Sequence, residues 1–243
     1  MRLFGLIGQP LTHSFSANYF NQKFLKEGKM DCSYRLFPLS SIEEFPALLQ
    51  QFPNLEGINV TSPYKQQVIK YLSSHSIPVE LNACNCIRIR NGQCEGFNTD
   101  WVGFEKSLLP LLQPKQQAAL VLGKGGAAQA VFFVLRKNGI PFTVVGRTMQ
   151  EGVDLTYDQL TAADLQAHTM VINTTPLGTY PAIASLPKLP YEAVGAGHLF
   201  FDLVYNPSET AFLKEGAQRG ARIKHGMEML QCQAEANWLI WNQ

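Results

Sequence analysis

The chain has 243 residues, of which 46% are hydrophobic and 16% are charged, and its net charge at pH 7 is +1. This length allows one large α/β domain or two smaller ones. The near-neutral charge excludes the strongly basic surface of a typical nucleic-acid-binding protein, and no apolar run approaches the ~20 residues of a membrane span. Because the N-terminal apolar run is too short for a signal peptide and the cysteines are odd in number, we expect a cytoplasmic protein without structural disulfides.

The N-terminal part of the chain alternates between short apolar strands and helices. The predicted elements, strand first, cover residues 3–8, 16–28, 33–39, 42–52, 57–60 and 64–74. This alternation is typical of a parallel-type α/β sheet. A hairpin follows, because Asn91-Gly92 lies between two further strands and is the dipeptide that best fits a type I′ turn. A helix over residues 101–112 then leads into the rest of the chain.

A glycine-rich turn follows the apolar strand Ala119–Leu122 near the middle of the chain. Gly123, Gly125 and Ala128 form the G-x-G-x-x-A version of the dinucleotide fingerprint. A helix that begins at Ala127 would direct unpaired backbone N–H groups and its positive dipole end at a pyrophosphate. The sequence therefore predicts a second domain of Rossmann type, although the turn alone also fits an unrelated α/β protein.

The residue at the end of the next strand indicates the cofactor. This strand, over residues 142–145, ends about 20 residues after the turn, where a dinucleotide fold that binds NAD carries an acidic side chain. The chain instead has Gly146-Arg147-Thr148 at this point. Because a guanidinium suits a 2′-phosphate, we predict that the cofactor is NADP(H).

The remaining elements are a shortened helix within residues 149–168, two strands in the segments MVINTTPLG and LFFDLVYNP, and a final amphipathic helix. The helix Met227–Trp241 carries apolar residues at helical spacing near one face, namely Met227, Leu230, Ala234, Trp238 and Trp241. We predict that this helix packs on the first domain. We predict no metal site, because Cys84 and Cys86 lack the nearby histidine that would complete a zinc site.

Polar residues follow the strands of the first domain, and strand ends are where open α/β sheets bind ligands. Ser14 and Ser16 follow the first strand, Lys65 follows the third, and Asn85 and Asp100 belong to the hairpin region. Each residue also has a purely structural interpretation. The serines and the aspartate could cap helices, and the lysine could face solvent.

Taken together, the motifs along nearly the whole chain resemble those of shikimate dehydrogenase. The matching motifs are HSFS, GINVTSPYK, ACNC, GFNTDWVGF, GKGGAAQA, GRT, NTTPLG, DLVYNPSET and GMEMLQCQA. The resemblance implies an enzyme of aromatic amino acid biosynthesis that reversibly reduces 3-dehydroshikimate to shikimate with NADP(H). It implies an α/β substrate domain over residues 1–99 and 226–243, and a Rossmann-type NADP domain over residues 100–225. The implied partner is a small-molecule substrate, and the expected assembly is a monomer or a homodimer.

The resemblance also assigns the site residues. It implies that Lys65 and Asp100 form the catalytic pair. The implied substrate-binding residues are Ser14, Ser16, Thr61, Asn85, Tyr205 and Gln233. The implied cofactor-binding residues are Gly123, Gly125, Gly126, Ala127, Arg147, Thr148 and Thr174. This assignment agrees with the chemistry, because a carbinol can lose hydride only as its O–H proton passes to a group within hydrogen-bond reach. The residue that acts as the base stays unassigned, since the two groups act as a coupled pair.

Four departures from the family pattern leave alternatives open. Ala17 replaces a proline at the helix start, and Cys86 replaces a threonine. Lys124 replaces an alanine in the glycine-rich turn, where it either adds positive charge near the phosphates or faces solvent. Glu151 replaces a basic residue of the 2′-phosphate site, so a quinate/shikimate dehydrogenase that uses NAD is the first alternative. A non-catalytic dinucleotide or metabolite sensor on the same fold is the second.

Overall fold

The computed structural model describes residues 1–11, 14–114 and 118–243. These residues form two units, one made of Met1–Val102 with Gln233–Gln243 and the other of Gly103–Cys232. We call them the first and the second unit. His13, the first residue of the HSFS motif, lies outside the described residues.

The first unit contains a six-stranded sheet among its described residues, with the strand order β2-β1-β3-β5-β6-β4. Its elements are β1 (Arg2–Gly8), α1 (Phe15–Lys26), β2 (Cys32–Pro38), α2 (Phe45–Gln51), β3 (Leu55–Val60), β4 (Ser74–His75), β5 (Cys86–Arg90) and β6 (Gln93–Phe97). The strands β1, β2 and β3 are parallel, whereas β5 is antiparallel to both β3 and β6. The predicted hairpin is confirmed, since Asn91 and Gly92 have φ values of 50° and 76°, as a type I′ turn requires.

The helix predicted over residues 64–74 is wrong. The structure has only a 3₁₀ helix, Gln67–Tyr71, at this place. Two backbone N–H groups after it bond across to β6, from Ser73 to the Cys94 carbonyl at 2.8 Å and from Ser76 to the Gly96 carbonyl at 2.9 Å. Edge pairing with the sheet therefore ends the helix early.

The core of the first unit is an aromatic cluster around the C-terminal helix, α7 (Met227–Trp241). The Trp241 ring lies 5.0 Å from the Phe4 ring and 5.1 Å from the Phe20 ring, and its Nε1 donates to the Ile87 carbonyl at 3.0 Å. A Cβ added to Gly57 would overlap the Trp241 indole, so this strand position admits only glycine. Aromatic pairs contribute about 0.5–1.5 kcal/mol each beyond area burial. The predicted packing of this helix on the first domain is confirmed for its last two turns.

The second unit has an all-parallel six-stranded sheet among its described residues, with the order β12-β11-β10-β7-β8-β9. Its strands are β7 (Ala119–Leu122), β8 (Phe142–Gly146), β9 (Leu155–Thr156), β10 (Met170–Asn173), β11 (Leu199–Asp202) and β12 (Arg222–His225). Its helices include α4 (Gly126–Lys137), α5 (Ala162–Ala167) and α6 (Ala211–Gln218), and α3 (Asp100–Leu108) precedes them. This is the doubly wound order of a dinucleotide-binding fold, and the strand order reverses between β7 and β10.

Most predicted elements of the second unit are confirmed. The predicted helix over residues 101–112 is α3 followed by the 3₁₀ helix Leu109–Leu111, and the shortened helix is α5. The sequence prediction missed α6 and the edge strand β12. In β12 the alternation of apolar and polar residues is weak, because three of its four residues are polar or charged. Across the described part of the chain, none of the helices is long and apolar enough to cross a membrane.

Candidate active site

Lys65 and Asp100 form an ion pair in the first unit. Lys65 Nζ donates to Asp100 Oδ2 at 2.6 Å, and the two side chains are 29% and 19% exposed. Lys65 lies in the turn after β3, where its carbonyl accepts from the Cys84 N–H at 2.7 Å, and Asp100 is the first residue of α3. A partly exposed ion pair contributes only about 0–1 kcal/mol to folding stability. Its ammonium can donate a proton and its carboxylate can accept one.

Asn85 holds the other oxygen of this carboxylate. Asn85 Nδ2 donates to Asp100 Oδ1 at 2.8 Å and to Thr99 Oγ1 at 3.0 Å. Asn85 Oδ1 accepts from the Thr99 N–H at 2.7 Å, and the Asn85 side chain is buried. Both amide hydrogens are therefore used to fix the strand end that precedes Asp100, which makes Asn85 a positioning residue for the carboxylate.

The network continues to the C-terminal helix. The Thr99 hydroxyl donates to Asn237 Oδ1 at 2.6 Å, and Asn237 Nδ2 donates to Gln233 Oε1 at 3.0 Å. Thr99, Gln233 and Asn237 are all buried. Gln233 and Asn237 are four residues apart on α7 and so share one face of the helix. A continuous set of side-chain hydrogen bonds thus links Gln233 to the Lys65–Asp100 pair.

A second buried network starts at Ser16. The Ser16 side chain is hydrogen-bonded to Tyr34, whose pKa is raised well above its ordinary value by burial. The Tyr34 hydroxyl donates to Asn59 Oδ1 at 2.8 Å, and Asn59 Nδ2 donates to the Asn85 carbonyl at 3.2 Å. Tyr34 is a neutral hydrogen-bond donor near pH 7, because the ordinary pKa of tyrosine already lies well above 7 and burial raises it further. Ser16, predicted from the sequence, is therefore connected to Asn85 through two residues that the sequence prediction missed.

The other predicted substrate residues have different surroundings. Ser14 caps α1, because its side chain accepts from the Ala17 N–H at 3.3 Å, which is the structural interpretation offered by the sequence. Thr61 lies directly after β3, and its N–H donates to the Ile7 carbonyl at 3.0 Å. Tyr205 belongs to the second unit, in the loop after β11. The networks of the first unit described above thus connect Ser16, Lys65, Asn85, Asp100 and Gln233.

The glycine-rich turn of the second unit is shaped to receive a ligand. Gly123 has a φ of 99°, and an added Cβ would lie 3.0 Å from Thr174 Oγ1. At Gly125 and Gly126 an added Cβ would meet nothing within 4 Å, so the backbone there is open to an approaching group. No side chain caps α4 at Gly125. The unpaired N–H groups of this first helical turn, which includes Ala127, therefore fit the pyrophosphate of a dinucleotide.

The other predicted cofactor residues lie at neighbouring strand ends. Thr174 follows β10, and its hydroxyl donates to the Leu122 carbonyl at 2.7 Å, which fixes it beside the glycine-rich turn. Arg147 and Thr148 directly follow β8 and are exposed. The strand β7 has β8 and β10 as its parallel neighbours. The glycine-rich turn, the Arg147–Thr148 pair and Thr174 therefore all lie at the carboxyl ends of these strands, where this fold binds dinucleotides.

A buried carboxylate orders the loop after β11. Asp202 Oδ2 accepts from the Thr210 hydroxyl at 2.5 Å, and Oδ1 accepts from Asn173 Nδ2 at 2.9 Å and from the Val204 N–H at 3.0 Å. Burial raises the pKa of Asp202 to about 6, against these hydrogen bonds, which lower it. Asp202 thus holds both ends of the loop that carries Tyr205.

The sequence prediction assigned no role to Tyr34, Asn59, Thr99 and Asn237. Asn59 and Thr99 lie inside the quoted motifs GINVTSPYK and GFNTDWVGF, and Asn237 lies one helical turn after Gln233, so these three had a local signal. The cysteines Cys84 and Cys86 are buried, and burial raises the pKa of the Cys84 thiol to about 12. Within the described residues, no group of three or more His, Cys, Asp and Glu side chains could hold a metal ion.

Known proteins are similar to this chain over nearly its full length. The family model described as shikimate dehydrogenase substrate binding domain matches residues 6–87, all of which belong to the first unit apart from the two residues outside the description. The NADP(+) shikimate dehydrogenase of Methanococcus maripaludis is 33% identical over 260 residues, covering 99% of this chain and 91% of that protein.

Two solved structures illustrate the structural similarity. Shikimate 5-dehydrogenase from Thermus thermophilus, in complex with NADP(H) and shikimate, matches with a TM-score of 0.84 and 29% identity, over 99% of this chain and 93% of that chain. Quinate dehydrogenase from Corynebacterium glutamicum, in complex with NAD, matches with a TM-score of 0.85 and 26% identity, over 99% of this chain and 93% of that chain.

Proposed function

The chain belongs to the shikimate dehydrogenase family, and we propose that it catalyses the reversible NADP(H)-dependent reduction of 3-dehydroshikimate to shikimate in aromatic amino acid biosynthesis. The curated relatives are named NADP(+) shikimate dehydrogenases, and a similar structure was solved with both NADP(H) and shikimate. The observation that carries the proposal is the Lys65–Asp100 pair, 2.6 Å apart and held by Asn85.

We propose that one domain binds the substrate and the other binds NADP(H). Residues 1–99 and 226–243 form the proposed substrate domain, and residues 100–225 form the proposed NADP domain. The match of residues 6–87 to a substrate binding domain supports the first assignment. The open turn at Gly125 and Gly126, before an uncapped helix, supports the second.

The Lys65–Asp100 pair moves the proton of the reaction. In the reduction direction, the pair donates a proton to the carbonyl oxygen as hydride reaches the carbon, so that the C=O π bond is replaced by a C–H and an O–H bond. In the oxidation direction, the pair accepts the hydroxyl proton as hydride leaves. Asn85 keeps the carboxylate oriented during both steps, because its amide fixes Asp100 Oδ1. The pair can be either the proton donor or the proton acceptor, so one site serves both directions.

The residues proposed to bind the substrate suit a small polyol with one carboxylate. Ser14 and Ser16 hydroxyls suit the carboxylate, and Thr61, Tyr205 and Gln233 suit the ring hydroxyls and the carbonyl, because hydroxyl and amide groups both donate and accept hydrogen bonds. Asn85 can accept from a substrate hydroxyl through Oδ1, since both of its amide hydrogens are donated to Asp100 and Thr99. A buried set of such groups discriminates against analogues that lack a hydroxyl, since the protein groups would be left unpaired.

The cofactor residues of the second unit fit NADP(H), which when bound accepts or supplies the hydride. Gly123, Gly125, Gly126 and Ala127 form the backbone cradle for the pyrophosphate, and Thr174 packs against it. Arg147 and Thr148 follow β8, where the ribose of a dinucleotide lies, and the guanidinium can fork onto a 2′-phosphate.

One steady-state assay tests the proposed function. Purified protein is given shikimate or quinate with NADP⁺ or NAD⁺, and the absorbance of the reduced cofactor is followed. We expect the highest kcat/KM with shikimate and NADP⁺. Turnover of quinate with NAD⁺ at a higher kcat/KM would favour the second candidate, which the similarity to a quinate dehydrogenase solved with NAD supports. Absence of turnover with all four pairs would favour a sensor.

A further inference from the structure

Lys124 connects the glycine-rich turn to the loop that follows β8. Lys124 Nζ donates to the backbone carbonyl of Glu151 at 2.6 Å. The Gln129 side chain donates to the Lys124 carbonyl at 3.4 Å and so holds the glycine-rich turn in place. Within Gly123-Lys124-Gly125-Gly126, Lys124 is the residue with a side chain. The Lys124 ammonium is therefore held at Glu151, a loop residue four positions after Arg147, and does not move freely in solvent.

The contact leaves the charge of Lys124 available. The acceptor is a neutral carbonyl, so this hydrogen bond does not neutralise the ammonium. An ammonium has three N–H donors, and this bond uses one of them. Lys124 and Glu151 also line an open cavity of about 400 Å³ together with Gln129, Arg136 and Asp154. The side of the lysine therefore faces open space, in a lining with two basic and two acidic side chains.

The 2′-phosphate of the proposed cofactor requires positive charge, and the position of the Lys124 ammonium matches this requirement. In a dinucleotide fold the ribose 2′ group lies at the end of the second strand, which is β8 here, beside Arg147. The loop residue Glu151 adds a negative charge near this strand end. A lysine that reaches the same loop from the glycine-rich turn offsets that charge and supplies a second donor.

We propose that Lys124 is a specificity-determining residue that binds the 2′-phosphate of NADP(H) together with Arg147. This inference rests on the proposed NADP-dependent function. Lys124 acts on binding and on the choice between NADP(H) and NAD(H), and it takes no part in proton transfer. Its effect is confined to ligands that carry a 2′-phosphate, because the pyrophosphate is bound by backbone N–H groups that the lysine side chain does not supply.

The test is equilibrium binding by calorimetry, with NADP⁺, NAD⁺, 2′,5′-ADP and AMP as ligands of the full chain. Lys124→Met keeps the length of the side chain but removes its charge, and Lys124→Arg keeps the charge. Lys214→Met, an exposed lysine on α6, is the matched control for net charge. We expect Lys124→Met to weaken NADP⁺ and 2′,5′-ADP by roughly tenfold while NAD⁺ and AMP change less than about twofold. Lys124→Arg and Lys214→Met should stay close to wild type.

Unchanged NADP⁺ affinity in Lys124→Met, or an equal loss for NADP⁺ and NAD⁺, would overturn the inference while leaving the proposed function intact. The unchanged NAD⁺ affinity also serves as the check that the variant is folded. A wild-type protein that binds NAD⁺ as tightly as NADP⁺ would instead contradict the cofactor of the proposed function, and the role of Lys124 with it.

Discussion

The Thr99 hydroxyl donates a hydrogen bond to Asn237 Oδ1 at 2.6 Å, although 138 positions separate the two residues in the chain. This contact joins the strand end before Asp100 to the helix that carries Gln233. Both side chains are buried, so neither has water as a substitute partner. The geometry of the Lys65–Asp100 pair therefore depends on a helix that lies far away in the sequence.

The first prediction tests this link. Asn237→Leu should lower the free energy of unfolding by about 1–3 kcal/mol, because the buried Thr99 hydroxyl and Gln233 carbonyl lose their partner. Urea denaturation followed by circular dichroism measures the change. Gln231→Leu, at an exposed position of the same helix, is the control and should stay within about 0.5 kcal/mol of wild type. Equal stability of the two variants would mean that the hydrogen bonds of Asn237 with Thr99 and Gln233 do not stabilise the fold.

The second prediction concerns proton transfer. Lys65→Met and Asp100→Asn should each lower kcat by about 10²- to 10⁴-fold, the usual range for loss of general acid–base catalysis, with a smaller change in KM. Lys70→Met, at an exposed lysine of the same unit that pairs with Glu43, is the control and should keep wild-type kcat. A Lys65→Met enzyme with normal kcat and a raised KM would show that the lysine only binds substrate.

The third prediction concerns Gln233. Gln233→Ala should weaken shikimate binding by roughly 1–3 kcal/mol, because polar groups of the bound substrate lose a partner, and should leave NADP⁺ affinity nearly unchanged. Gln231→Ala changes the same residue type at an exposed position of the same helix and should have no effect. Binding titrations with each ligand decide the outcome. An equal loss of affinity for NADP⁺ would be inconsistent with a role in the substrate site.

The fourth prediction concerns cofactor choice. Arg147→Ala should remove most of the preference for NADP⁺ over NAD⁺, since a charge-assisted contact of about 1.5–3 kcal/mol is lost. Glu151→Lys should increase the preference, because it replaces a repelling charge with an attracting one. The measurement is the ratio of kcat/KM for the two cofactors in each protein. An Arg147→Ala enzyme with the wild-type ratio would contradict the assignment.

The fifth prediction concerns pH. Burial raises the pKa of Asp202 from its ordinary value of 3.8 to about 6, so the folded state binds this proton more tightly than the unfolded state. The contribution of Asp202 to stability is therefore fully present below pH ~4, falls as the pH rises to about 6 by at most about 3 kcal/mol, and is constant above that. Between these limits, urea denaturation should show the free energy of unfolding of wild type falling relative to that of Asp202→Asn as the pH rises. Parallel curves would contradict the raised pKa.

Local signals explain which parts of the fold could be predicted. The hairpin followed from Asn91-Gly92 because only a few residue types accept two consecutive positive φ values, and the glycine-rich turn followed from fixed spacing after an apolar strand. The segment after Lys65 was predicted as a helix because its apolar spacing fits one. The sheet edge it pairs with is more than twenty residues away in sequence, and no local pattern reports that pairing.

The site shows the same limit. Lys65 and Asp100 are 35 positions apart, and no spacing rule brings them together, so their pairing was implied only by resemblance to a family. Asn85 is predicted as a substrate ligand, and the structure adds contacts that the sequence does not reveal, since its amide hydrogens are donated to Asp100 and Thr99. A single buried hydrogen bond such as that from Tyr34 to Asn59 leaves no periodic trace in a sequence, which is why such partners are found only once the strands are assembled.

The first unit is built from two separate segments of the chain, and this has a consequence for its synthesis. Phe4 and Phe20 leave the ribosome long before their partner Trp241 is made. All of residues 103–232, which form the second unit from one continuous stretch, are translated in between. During this interval the nascent first unit exposes an aromatic surface, the kind of surface that chaperones bind. Ribosome-bound chains that end before residue 233 should therefore have a folded second unit and an incomplete first one.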